Sequence, residues 1–343
     1  MLSLLADGYG VDPLITYLVN ERETWIVPMV NPDGHIHAEA DFLWRKNVDN
    51  TNGLCYPDYW WATPGVDLNR NFDDHWGWGG GSSDACVETY WGPAGFSEPE
   101  DQAIRSLVES PGHPSFTAVV SYHAYGDLVL HPWGYTATLP TDGGLMQAMA
   151  AKIASYNGYT PGQASTGLYV TNGDTCDWTW GAHGIPCFTV EMGDQFMPLY
   201  SAVAGLWDEN RPGALYALNI ADQNARAFGP EVTQVQAVTW TNGLTVTAQV
   251  SDLGNGGQVI TAAQLFVDTL GPNGSGQPML PADGLWNSGT ETVTLALPPL
   301  PPGRHTLYVR GADAGGHWGS VGVAWPRELV RVYLPMVGRA ANP

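Results

Sequence analysis

Three apolar runs in the first two thirds of the chain constrain its fold more than any other feature. They are Thr24-Trp25-Ile26-Val27-Pro28-Met29-Val30, the stretch from Phe116 to Tyr122, and Cys187-Phe188-Thr189-Val190-Glu191. Each is continuous rather than alternating, which is the pattern of a strand buried on both faces. Stretches with helical spacing lie between and around them: Asp12 to about Glu23, Leu145 to Tyr156, and most of Ala202 to Ala227. Ser97-Glu98-Pro99-Glu100 has the spacing of a capping box and opens a further helix running to about Glu109. Asn31-Pro32-Asp33-Gly34 closes the first run with two turn dipeptides in succession. Strands alternating with helices predict an α/β domain whose mixed, largely parallel sheet is flanked by helices.

After Phe228-Gly229-Pro230 the character changes. Short strand patterns at Leu244–Val250, Ala263–Val267, Glu291–Leu297 and His305–Arg310 alternate with Gly, Pro and Asn turns, and helical periodicity is absent. This predicts an all-β, immunoglobulin-like or fibronectin-like sandwich over 229–326, followed by a tail over 327–343. A length of 343 residues suits two such domains. The formal charge is −21, from 34 acidic against 13 basic residues, so binding to nucleic acid or an anionic membrane is disfavoured. No apolar run reaches the roughly 18 residues that span a bilayer. The four cysteines, Cys55, Cys86, Cys176 and Cys187, show no CxxC spacing, so disulfides are the reading if the protein is exported. The opening Met1-Leu2-Ser3-Leu4-Leu5-Ala6-Asp7 has neither a basic n-region nor a cleavage site. Either the protein is cytoplasmic or its true N-terminus lies upstream.

Two strand ends carry chemistry. His123 follows the Phe116–Tyr122 run and Glu191 closes the Cys187 run. In α/β sheets, ligands and reacting groups sit at the carboxyl ends of strands. Taken alone, His123 also reads as a hydrogen-bonded core histidine, and Glu191 as a strand-end charge reaching solvent. Trp44-Arg45-Lys46-Asn47 and Gly65-Val66-Asp67-Leu68-Asn69-Arg70-Asn71-Phe72 add two arginines and an asparagine. An arginine fork grips a carboxylate through two parallel hydrogen bonds. The plain alternative is surface ion pairing, although the chain has only 13 basic residues to spend there.

Read together, the ordered motifs resemble one family. Asn31-Pro32-Asp33-Gly34, Trp44-Arg45-Lys46, Asp67-Leu68-Asn69-Arg70-Asn71-Phe72, Ser121-Tyr122-His123-Ala124-Tyr125, Leu168-Tyr169, Asp177-Trp178 and Phe188-Thr189-Val190-Glu191 are similar in order and spacing to the metallocarboxypeptidase A/B family. The resemblance covers about residues 1–225, and the run Tyr169 to Trp178 looks closest to bacterial carboxypeptidase T. It implies a secreted, monomeric zinc enzyme that removes the last residue from peptide C-termini. His123 matches a zinc ligand, Glu191 the general base, and Arg45 the cation beside the scissile carbonyl. Asn69 and Arg70 match the pair that grips the C-terminal carboxylate, and Tyr169 the tyrosine that closes over it. Thr171, Asp174, Cys176 and Thr189 match the specificity pocket, which implies a broad preference for apolar and some basic side chains. Cys55 and Cys86 match the family's disulfide. Pairing of Cys176 with Cys187 stays open, since Cys187 also reads as a buried free thiol.

The match is incomplete. The family takes its first two zinc ligands from a His-x-x-Glu motif upstream of the helix that precedes the Trp25–Val30 strand. Here no histidine precedes His35. His35-Ile36-His37 has strand spacing and puts two rings on one face, a weak substitute. The expectation is an N-terminally truncated carboxypeptidase, inactive as it stands because catalytic zinc uses about three protein ligands. The alternatives are a non-catalytic protein that binds C-termini and an adhesion module acting through its sandwich.

Overall fold

The computed structural model describes residues 1–41, 43–51, 55, 64–112 and 115–328. His113 and all but the first two residues of the expected tail lie outside them. The first part of the chain runs α1 (Leu2–Gly8), α2 (Pro13–Glu21), α3 (Pro32–Asp41), α4 (Pro99–Val108), β1 (Val119–His123), β2 (Leu128–His131), α5 (Gly143–Asn157), β3 (Thr160–Gln163), α6 (Ala164–Gly167), α7 (Thr175–His183), β4 (Cys187–Glu191) and α8 (Val203–Ile220). Short 3₁₀ turns cover Leu68–Arg70, Tyr200–Ala202 and Asn224–Phe228.

The four strands form one mixed sheet in the order β1-β4-β2-β3, with β1/β4 and β2/β3 parallel and β2/β4 antiparallel. One face is covered by α5 and α8, through Met146, Met149, Ile153, Tyr216 and Ile220 packed on Val129, Phe188 and Val190. A second cluster stacks Trp178 of α7 with Phe72 and Phe96. Val129 of β2 and Phe188 and Val190 of β4 are buried under the α5/α8 cover.

Four local readings are corrected. Residues 24–30 are not a strand. None of the strands among the described residues includes them, and Trp25, Val27, Met29 and Val30 are 52%, 45%, 42% and 42% exposed. An apolar run becomes a buried strand only where a neighbouring strand supplies backbone partners. Nor do Asn31 to Gly34 form successive turns. Asn31 caps α3, its Oδ1 accepting from Gly34 N at 2.9 Å, with Pro32 at the first helical position. Asn31 Nδ2 donates back to Lys46 O at 2.9 Å, so this cap also anchors the chain around Arg45. A Cβ on Gly34 would stand 2.5 Å from Lys46 O, which is why glycine occupies the position. The same helix overturns the paired-histidine idea. His35 reaches Glu39 one turn on and His37 stacks on Trp44, so the two rings diverge. Helix α4 is capped from Glu98 rather than Ser97, and the expected capping box does not form: Ser97 Oγ donates to Glu98 Oε1 at 2.7 Å instead.

The second part is an eight-stranded sheet folded over a single apolar core. Its strands are β5 (Glu231–Trp240), β6 (Gly243–Ser251), β7 (Ile260–Val267), β8 (Gln277–Pro281), β9 (Thr290–Leu297), β10 (Leu307–Asp313), β11 (Gly322–Ala324) and β12 (Arg327–Glu328). The order is β11-β10-β7-β8-β9-β6-β5-β12, antiparallel except for the short β5/β12 pair. Val246, Val250, Ile260, Leu265, Val293, Leu307 and Val309 fill the core at 0% exposure. This part packs directly on the first. Tyr17 and Leu18 of α2 meet Val321 and Val323 beside Leu215 and Leu218 of α8. Asn219 of α8 both donates to Val321 O at 2.9 Å and accepts from Val321 N at 3.1 Å. Lys152 of α5 pairs with Glu231 of β5 at 2.6 Å.

Candidate active site

Strands β1 and β4 run parallel in a register that sets His123 opposite Glu191, both at the carboxyl end of the sheet. A cavity of about 430 Å³ opens there. Its walls include Arg45, Asn69, Arg70, His123, Tyr169, Thr171, Asp174, Cys176, Thr189 and Glu191, drawn from segments spanning almost 150 residues of sequence.

Each basic or amide group is held by a partner. Arg45 Nε donates to Asp67 Oδ2 at 2.9 Å, and the nearby Asp67 charge raises the guanidinium pKa further. Asp67 is 2% exposed, and its other oxygen accepts from Asn69 N at 3.1 Å, capping the 3₁₀ turn. Arg70 is buried, with Nε donating to Gly80 O at 3.0 Å and Nη1 to Asn69 O at 2.6 Å. Its Nη2 reaches Tyr169 Oη at 3.4 Å, drawing the half-exposed tyrosine over the cavity. Gly173, at φ +63°, lets the 169–174 loop lie against the arginine turn. A Cβ there would stand 2.5 Å from Arg70 O.

Electrostatics follow burial. The Glu191 carboxyl is pushed up to about 7 by burial, against the opposing pull of Arg45 and Arg70. Burial and the same two arginines push the His123 imidazole down to about 4. Ser121 Oγ lies 2.9 Å from His123 Nε2, which fixes the ring and leaves Nδ1 as its other nitrogen. At the cavity floor, Asp174 uses both oxygens internally: Oδ1 accepts from Asp177 N at 2.9 Å and Oδ2 from Thr171 Oγ1 at 2.7 Å. Asp177 accepts from Gly134 N and Tyr135 N, and burial together with Asp174 raises its pKa. Cys176 is bonded to Cys187, and Cys55 to Cys86.

Residues 1–213 match the zinc carboxypeptidase family. The chain belongs to that family. Relatives include carboxypeptidase A2 of Rattus norvegicus, 31% identical over 197 residues, and carboxypeptidase A1 of the same species, 33% identical over 198. Each alignment covers 55% of this chain and 45% of the relative, so the chain spans less than half the length of these relatives. Among solved structures, thrombin activatable fibrinolysis inhibitor (TAFI) superposes with a TM-score of 0.58 at 26% identity, over 64% of this chain and 56% of that one.

The zinc that this family implies has no full ligand set among the described residues. Among the described residues no group of three His, Cys, Asp or Glu side chains could hold a metal ion, and His123, the residue matched to a family ligand on sequence, lines the cavity. His131 also lines the cavity, but its Nδ1 sits 2.7 Å from Pro132 O. The residues described do not fit a zinc ion by themselves. Ser121, Asp67 and Thr175 were not singled out by sequence reasoning; Ser121 and Asp67 lie in the motifs that hold His123 and Asn69, whereas Thr175 meets Asn69 from 106 residues away.

Proposed function

We propose that this cavity binds the free carboxylate of a peptide C-terminus, and that the complete, metal-loaded protein is a carboxypeptidase. The carrying observation is the convergence of Arg45, Asn69, Arg70 and Glu191 on one cavity. Two guanidiniums and an amide bring more N–H donors to the cavity than their protein partners use, which suits a carboxylate. Asn69 and Arg70 take the terminal carboxylate, and Arg45 stands nearer the scissile carbonyl to offset charge developing on its oxygen. Glu191, with a pKa near neutrality, accepts the proton of the attacking water. The walls combine Leu130, the Cys176–Cys187 disulfide and two threonines, favouring apolar side chains. Asp174 is the acidic group of the lining that would tolerate basic ones. Residues 1–228 act as the catalytic domain and 229–326 as the sandwich domain. Two disulfides suit an exported protein.

Because the described residues do not supply the zinc site, the reading favoured for this 343-residue chain alone is binding without turnover. Calorimetry with N-acetyl-L-phenylalanine and with its primary amide tests this. The acid is expected to bind at least about tenfold more tightly, as loss of a charge-assisted pair implies. Equal affinities would reject carboxylate recognition. Chelator-sensitive release of a C-terminal amino acid with added zinc would reject binding without turnover.

A further inference from the structure

We propose that Thr175 is a positioning residue that fixes the side-chain amide of Asn69 with its nitrogen facing the cavity. The inference rests on the carboxylate-binding reading above and deepens it. Thr175 is the first residue of α7, and Asp174 is its N-cap. A helix cannot bond the N–H groups of its first turn internally. Thr175 N–H is satisfied instead by Asn69, 106 residues earlier, at 3.0 Å, and Thr175 Oγ1 donates to the same atom at 3.0 Å.

The identity of that atom is not arbitrary. A backbone N–H only donates, so the amide atom facing it must be the oxygen. Nδ2 is therefore turned away from Thr175, with no protein acceptor among the described residues, and Asn69 lines the cavity. A terminal carboxylate meets a donor there. The opposite rotamer would present an oxygen to an anion. Helix α7 is itself fixed, since Cys176 is bonded to Cys187 of β4 and Asp174 accepts from both Thr171 and Asp177. Thr175 thus transmits the position of the sheet to the amide orientation.

Thr175→Pro removes both donors while keeping the helix start, because proline is favoured at the first helical position and the extended Asp174 before it is compatible. Calorimetry on the full chain with N-acetyl-L-phenylalanine and its primary amide reads the effect, and circular-dichroism melts check folding. Expected is a loss of about tenfold or more in the acid-to-amide affinity ratio. Thr175→Ser should return the ratio to within about twofold of wild type. A general structural defect would weaken both ligands alike and leave the ratio unchanged. If the wild type itself fails to prefer the acid, the carboxylate-binding reading fails. If the wild type prefers the acid and Thr175→Pro preserves that preference, the role of Thr175 is overturned. If Thr175→Pro does not fold, Thr175→Val removes the hydroxyl alone. The N–H that orients the amide remains, so a ratio within about threefold of wild type is then expected, and a loss of about tenfold or more overturns the proposal.

Discussion

Replacing Asp101 with asparagine should make the protein more stable, increasingly so as pH rises. Asp101 lies in the first turn of α4 at 0% exposure, and neither carboxylate oxygen has a hydrogen-bond partner among the described residues. Burial, with Glu100, Glu98 and Asp67 adding to it, pushes its pKa from 3.8 to about 9. A carboxyl raised in the folded state binds its proton there and loses it on unfolding. Its contribution is therefore most favourable below the unfolded value and is lost as pH rises through the window from about 4 to about 9. Each unit in that window is worth about 1.4 kcal/mol, which sets an upper limit of about 4 kcal/mol at pH 7. Water penetration and small shifts of α4 lower this, so a gain of about 1–3 kcal/mol is expected at pH 7 and almost none at pH 4. Asparagine is nearly isosteric with the protonated acid, so packing is conserved. Urea denaturation of both proteins from pH 4 to 8.5 measures the difference. A stability difference that does not change with pH, or one that favours the wild type more as pH rises, would refute the reasoning.

Glu231→Leu alone should lower stability by about 2–4 kcal/mol, since it strands Lys152, whose side chain is 7% exposed. Adding Lys152→Met should recover most of that loss in thermal melts, and no recovery would show that the pair is not what joins α5 to β5. Removing the disulfide as Cys176→Ser with Cys187→Ala opens a link across 11 residues and should cost about 2–3 kcal/mol by urea midpoint. A wild-type midpoint insensitive to reductant would argue that the bond is not formed. Trp178→Ala should cost about 3–5 kcal/mol, because its ring fills the cluster with Phe72 and Phe96 at 2% exposure.

What could be read ahead of the structure depended on how far each residue's meaning reaches along the chain. His123 and Glu191 were legible because an apolar run ending in a polar side chain is a local pattern, and strand pairing then brought them side by side. The helices α5 and α8 were legible for the same reason. The Trp25–Val30 run has the same local pattern and yet forms no strand, because strand formation depends on a neighbour that its own residues cannot supply. Asn31 was misread because asparagine followed by proline suits a turn and a helix cap equally, and the choice is made by Lys46, 15 residues away. Pairing of Cys176 with Cys187 was undecidable for a similar reason: it requires the start of α7 to lie beside β4, where the two Cα atoms are 5.0 Å apart. Asp67 and Thr175 follow the same rule. Each is unremarkable in its own window and acquires its role only by meeting Arg45, 22 residues away, or Asn69, 106 residues away. Groups that would touch a substrate can thus be found from local pattern and motif order, whereas groups that aim them emerge only from tertiary contacts. Variants at the aiming positions therefore separate true site geometry from mere motif retention, since a chain can keep Asn69 and Arg70 while losing the orientation that makes them a carboxylate site.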